Sequence, residues 1–554
     1  MTAARTGGRA LVESLVANGV DLFTCVPGES FLPVLDALHD LVAQAGGPRL
    51  IGARHEAAAA NMAEAAGKIT GRPAACLVTR GPGAMHAAIA VHTAFQDGTP
   101  MLLLVGQIER HHRGRQAFQE VDYRAVFGSQ TKLVVEIDDA DRVPEIIARA
   151  LDVATSGRPG PVVLALPEDM LYDETSAPVL PVPVRTGLSA TPADRDRLLQ
   201  AIAGAERPLI VAGGPNWNQD AADALRRFAE ANDVPVTTAF RDQDAIDNRS
   251  DAFAGYLGLS SSARTRELAM DSDLIVAFGC RLDDPTTDGF ELTRAGRPGR
   301  VLVVTDDPME ATQALIPTDV ILCRSDSLAA LIVDASLPAS ASRSDWMTLL
   351  RKVRDAHRIP PDADFAVDLA AIVAHIRETT PDDTIITNGA GNYTAWVQRF
   401  FEFRRWGTQI APHNGAMGYG LPAALGALAV RPGARAIAFA GDGDFQMEGM
   451  ELATAVQARL PVIVIVIDNG MYGTIRMHQE SRFPGRPIAT NLGDPDFVQF
   501  AKAFGVSAHR VERTEDFPSL WATTLADDGP VLIHVKADPL RLTPERRLEK
   551  RGNE

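Results

Sequence analysis

Two short motifs in this chain have residue types suited to a phosphate and a divalent cation. Gly441-Asp442-Gly443-Asp444 follows an apolar run and leads into a helical pattern. Its glycines can present backbone N–H groups to phosphate oxygens, while Asp442 offers a hard carboxylate to a metal. A second apolar run, residues 462–467, ends in Asp468-Asn469-Gly470-Met471-Tyr472-Gly473. If the two runs are neighbouring parallel strands, their carboxyl ends lie side by side, and Asp442 and Asn469 can share one ion. A lone Gly-Asp-Gly is ordinarily a turn; the second motif, one helix and one strand later, favours a metal-bridged phosphate site.

The elements that position these motifs repeat along the chain. Short β-branched runs alternate with Ala-rich stretches of helical period, the pattern of parallel sheets covered by helices. The expected fold class is therefore α/β, with three open parallel-sheet domains. A first series places strands at 22–26, 75–79, 101–105 and 161–165, with a helix over 56–69 among those between them. Pro178, Pro181, Pro183 and Pro192 mark a linker. A second series covers 208–212, 234–238, 274–278 and 301–305, and a third covers 384–387, 436–440 and 462–467. Domains are expected at 1–180, 194–340 and 362–540, followed by a charged tail at 541–554, either exposed or loosely docked as a lid.

Composition excludes several function classes. The 54 Lys and Arg stand against 71 Asp and Glu, a net charge of -17, so nucleic acid and anionic membrane surfaces are repelled. No apolar run approaches the ~18 residues of a bilayer span. The four cysteines lie far apart without metal or disulfide spacing. Residues 9–18 read as an amphipathic helix rather than an export signal, which makes the cytoplasm the expected location.

The Gly-Asp-Gly and asparagine pattern resembles the thiamine-diphosphate fingerprint, and nearly the whole chain resembles the acetolactate synthase-like branch of that enzyme family. The resemblance implies pyrimidine-binding, middle and pyrophosphate-binding domains. It further implies thiamine diphosphate and Mg²⁺ held between two subunits of a homodimer or homotetramer. It makes Glu56, in Arg54-His55-Glu56-Ala57-Ala58-Ala59-Ala60, the acid that activates the cofactor's aminopyrimidine. Glu64, two turns on, has a similar setting but no counterpart in the family motif. In Gly415-Ala416-Met417-Gly418, Met417 takes the place of the apolar prop that bends the cofactor, and Ala390-Gly391-Asn392-Tyr393 matches positions that bind diphosphate oxygens. Asp442, Asn469 and the Met471 carbonyl become the Mg²⁺ ligands, with Gly443, Asp444, Tyr472 and Gly473 around them. The implied reaction decarboxylates a 2-oxo acid, pyruvate by default, and condenses the remainder with a second carbonyl compound. A simple 2-oxo acid decarboxylase or C–C lyase is the alternative, and a catalytically silent cofactor-binding regulatory protein the alternative of another class.

The chain departs from this family at several places. Phe118 and Gln119 match pocket-lining positions, but Arg80 stands where synthases have serine and Glu29 where they have glycine. Glu29 would repel a substrate carboxylate unless neutralised, so Arg80 is expected either to pair with it or to hold that carboxylate itself. His478 aligns with a tryptophan that favours 2-oxobutyrate as acceptor. His111-His112 reads as a solvated loop. Arg281-Leu282-Asp283-Asp284 and Thr305-Asp306-Asp307-Pro308 resemble segments that touch FAD, but no Gly-x-Gly-x-x-Gly is present, and FAD remains an open possibility.

Overall fold

The computed structural model describes residues 4–549 apart from 186, 295, 297, 298, 363 and 364; the end of the charged tail, 550–554, lies outside the described residues. It contains three six-stranded sheets, each wholly parallel. The strands are short and apolar on both faces, as sheets sandwiched between helices require. In the N-terminal sheet the order in space is Arg49–Gly52, Leu22–Cys25, Ala74–Val78, Met101–Gln107, Pro161–Pro167, Leu133–Glu136. The C-terminal sheet is wound the same way: Gln409–Ile410, Ile385–Asn388, Ala436–Gly441, Ile463–Asp468, Val531–Lys536, Ser507–Val511. The middle sheet runs Phe253–Tyr256, Val236–Thr238, Pro208–Ala212, Leu274–Phe278, Arg300–Thr305, Asp319–Leu322. In each sheet the chain reverses its direction of winding beside the first strand, which opens a crevice at the carboxyl ends of two neighbouring strands.

The Ala-rich helix Glu56–Thr70 packs against the equally Ala-rich helix Gly420–Val430. The approach is so close that a Cβ on Gly426 would fall 2.3 Å from the Met62 carbonyl oxygen. One apolar cluster consequently runs through both the N-terminal and C-terminal sheets, while the middle sheet has cores of its own. Glu64 is buried in this junction, where the Tyr419 hydroxyl donates to it and burial pushes its carboxyl above the usual range. Lys68 donates to the buried Asp97 and to the Ala411 carbonyl at 2.9 Å.

Two segments differ from the sequence expectation. The helix Ala341–His357 belongs with the middle sheet, since Trp346 Nε1 donates to the Pro208 carbonyl at 3.0 Å. The start of the charged tail is neither exposed nor loose: Leu542 is 2% exposed.

Candidate functional site

In the C-terminal sheet the crevice opens beside Ile385–Asn388 and Ala436–Gly441. A cavity of about 210 Å³ lies there, lined mainly by apolar and backbone groups. Ala390, Gly391, Asn392, Tyr393, Gly415, Met417, Asp442, Gly443, Asp444, Asn469, Met471, Tyr472 and Gly473 all line it, which brings together from four chain segments every cofactor-binding residue expected from this domain. The walls are glycine for a reason: a Cβ on Gly443 would fall 2.4 Å from the Tyr472 ring, and one on Gly473 2.9 Å from Asn469 Nδ2. Gly391 has φ +158° and Gly415 φ +70°. Leu369, Trp396, Arg541 and Leu542 also line it, and they were not apparent in the sequence because they come from outside the glycine motifs.

The polar groups here are arranged unequally. Asp442 Oδ1 accepts the Gly443 N–H at 2.9 Å, but its buried Oδ2 has no partner among the described residues. Burial and the neighbouring Asp468 push the Asp442 carboxyl up to about 7. Asp468 is itself neutralised, with His534 Nε2 at 2.7 Å and Lys536 Nζ at 2.8 Å, and these contacts hold its carboxyl below the usual range. Asn392 Oδ1 accepts from Thr474 Oγ1 at 2.8 Å, which leaves its buried Nδ2 unpartnered. A carboxylate oxygen lacking a cation and an amide lacking an acceptor on one wall fit a metal-bound diphosphate. Asp444, by contrast, is fully engaged within the protein. It accepts the Tyr393 hydroxyl and the Gly418 N–H, both at 2.7 Å, and so ties three cavity loops together.

The other expected residues gather on the N-terminal sheet. Glu29 and Arg80 follow the two strands that flank its crevice, Leu22–Cys25 and Ala74–Val78. Arg80 Nη1 lies 3.2 Å from Glu29, and Nη2 donates to Glu168, a partner that no sequence spacing signals because it follows a distant strand. Gln119, at φ +67°, accepts the Gly81 N–H on its carbonyl at 3.2 Å, which docks its loop on the Arg80 turn. Phe118 beside it is 78% exposed. Glu56 opens its helix nearby, its Oε1 3.3 Å from where a Gly83 Cβ would sit. None of these residues lines the cavity of the same chain. His478 is exposed along a separate groove beside the C-terminal segment, so the structure does not place it with the cavity lining. His111 and His112 flank Glu109 at 3.4 Å each on the surface.

Three family models match in chain order: the thiamine pyrophosphate enzyme N-terminal TPP binding domain over residues 5–126, the central domain over 195–330, and the C-terminal TPP binding domain over 389–535. The large subunit of acetolactate synthase isozyme 2 from Escherichia coli is 31% identical over 540 residues, covering 96% of each chain. The chain belongs to the thiamine pyrophosphate enzyme family. Other relatives in this family include the acetolactate synthase large subunit of Parasynechococcus marenigrum, 32% identical over 96% of this chain and 87% of its own, and the probable one of Methanocaldococcus jannaschii, 30% identical over 97% and 93%. In this thiamine pyrophosphate enzyme the cavity lies wholly within the C-terminal match apart from Leu369, Ala537, Arg541 and Leu542 at its margins, and Glu56, Arg80 and Gln119 lie within the N-terminal one. No helix among the described residues is long and apolar enough to cross a membrane.

Proposed function

We propose that the chain is a thiamine-diphosphate- and Mg²⁺-dependent carboligase of the acetolactate synthase type, which decarboxylates pyruvate and joins the remaining two-carbon unit to a second carbonyl compound. The supporting observation is the glycine-walled cavity with its unpartnered Asp442 Oδ2. Asp442, Asn469 and the Met471 carbonyl would hold Mg²⁺, whose preference for hard oxygens they meet. Asn392 Nδ2 and the backbone at Gly391 and Gly443 would bind diphosphate oxygens, and Met417 would support the bend of the cofactor. When bound, thiamine diphosphate supplies an acidic carbon and an electron sink for breaking the bond to the departing carboxylate.

In this reading the catalytic acid is Glu56, which holds a proton at the cofactor's pyrimidine nitrogen. Because Glu56 does not line the cavity of its own chain, the complete site requires a second copy, and a homodimer is the minimal active unit. Gln119 and Phe118 would cover the substrate, and Arg80, already shared between Glu29 and Glu168, would present little net positive charge to it. The four free, buried cysteines support a reducing cytoplasmic home.

The middle-domain crevice opens on a cavity of about 750 Å³ whose polar lining mixes Asp242 and Asp244 with Lys68, Arg241, Arg324, Arg431 and His413. The Gly214 N–H there donates to Asp242 Oδ2 at 3.1 Å, and Asp306 Oδ1 accepts from Asn216 at 2.7 Å. The colour of the purified protein decides whether FAD occupies it.

The test is turnover of pyruvate with added thiamine diphosphate and Mg²⁺. Carbon dioxide and acetolactate are expected from the wild type and at a rate lower by about 10² or more from Glu56→Gln. No carbon dioxide from any 2-oxo acid, or equal rates for the two proteins, overturns the reading.

A further inference from the structure

We infer that His86 is a positioning residue for Glu56: its ring fixes one carboxyl oxygen, so that the other is the one presented to the cofactor. The inference rests on the role of Glu56 proposed above. His86 lies in the helix Gly81–Asp97, which packs along the helix that Glu56 opens. Its Nδ1 is 2.8 Å from Glu56 Oε2. With the ring proton on Nδ1 this nitrogen donates to the carboxylate, a charge-assisted bond of the stronger kind.

The imidazole is itself held in place. It stacks on His55 with the ring centroids 4.6 Å apart and the planes 27° from parallel. His55 is pinned at both ends, since its backbone N–H donates to Glu451 at 3.0 Å and its Nδ1 accepts the Ala57 N–H at 3.2 Å. Accepting at Nδ1 requires the neutral ring, in accord with the lowering of the His55 pKa by burial and by His86. A fixed ring therefore orients a second ring, which orients the carboxyl.

The other carboxyl oxygen is left available. Glu56 Oε1 has no hydrogen-bond partner among the described residues, and the absent side chain of Gly83 keeps the space beside it open. A carboxyl anchored at Oε2 carries its transferable proton on Oε1; without the anchor, rotation about its last torsion puts the proton on either side. This is a loss of orientation rather than of chemistry. Within one chain the His86 side chain is 53% exposed, so its removal leaves no cavity in that chain's own core.

The experiment uses the holoenzyme at saturating thiamine diphosphate and Mg²⁺, with 2-oxo acid turnover, substrate KM and Tm as readouts. His86→Asn places an amide nitrogen near the position of Nδ1 and should keep kcat within about threefold of wild type. His86→Leu removes the donor and should lower kcat about tenfold or more, the range of a hydrogen bond to a charged group, with KM and Tm unchanged. In a Glu56→Gln background His86→Leu should add no further loss, because both changes act through one carboxyl. Wild-type kcat in His86→Leu, equal damage from Asn and Leu, or a multiplied loss in the double variant each overturns the inference while leaving Glu56 in its role. Full activity of Glu56→Gln alone overturns the role of Glu56 first.

Discussion

The N-terminal and C-terminal sheets share one strand order, yet the crevices at their reversal points are opposites. In the C-terminal sheet the crevice is open, walled by glycine, and carries a buried carboxylate oxygen without a partner among the described residues. In the N-terminal sheet the protein fills the crevice itself. Ser30 Oγ meets Thr79 Oγ1 at 3.1 Å, a Cβ on Gly106 would fall 1.9 Å from Ser30 Oγ, and Arg80 spans Glu29 and Glu168. Around this plug, side chains turn outward: Phe118 is 78% exposed and the Glu29 side chain 71%. Winding order creates a crevice; the residues at the strand ends decide whether it receives a ligand or becomes a surface that covers one.

That contrast breaks most sharply by mixing. Glu56→Gln and Asp442→Ala should each lower turnover by about 10² or more, one from each half of the site. Mixed after dissociation, they should regain about a quarter of wild-type activity, because random pairing makes half the dimers mixed and each mixed dimer holds one intact site. No recovery would mean that both halves come from one chain. Next, Gly443→Ala should weaken cofactor binding about tenfold, since the new Cβ must displace the Tyr472 ring; tryptophan fluorescence quenching by thiamine diphosphate with Mg²⁺ measures this. In the filled crevice, Arg80→Met should destabilise by about 1–2 kcal/mol because Glu168 loses its partner, and adding Glu168→Gln should restore most of it. Denaturant midpoints decide that case.

The smallest effect concerns a residue in neither crevice. Asp244 is buried where the middle domain meets the C-terminal one, accepts the Thr408 and Gln409 N–H groups at 2.9 and 3.0 Å, and is pushed by burial up to about 7. An unfolded aspartate titrates near ~4, so between those values the folded chain keeps a proton that the unfolded chain has lost. Its contribution to stability is thus present at low pH and lost as the pH rises through about 7. Asp244→Asn, whose amide oxygen can accept both bonds, should raise Tm by about 2–4 °C at pH 8, and the gain should shrink as the pH is lowered toward 5.

The two crevices were unequally legible in the sequence. Asp442 and Asn469 could be placed because glycine and carboxylate follow apolar strands, and strand adjacency does the rest. Glu56 was found only through a family motif, since a glutamate in a first helical turn is ordinarily solvated. His86 went unread because its partner lies across a helix pair, 30 positions away, and no local spacing signals it. Glu168 escaped for the same reason. Edge strands such as Gln409–Ile410 and Arg49–Gly52 are too short to show a period and exist because a neighbour offers its edge.

The pairing of the helices Glu56–Thr70 and Gly420–Val430 has a practical consequence. Because the first and last thirds of the chain share one apolar interior, neither can be excised as a stable fragment. Cleaving the polypeptide near Pro192 should leave the pieces associated, and heating should melt the two outer thirds in a single step.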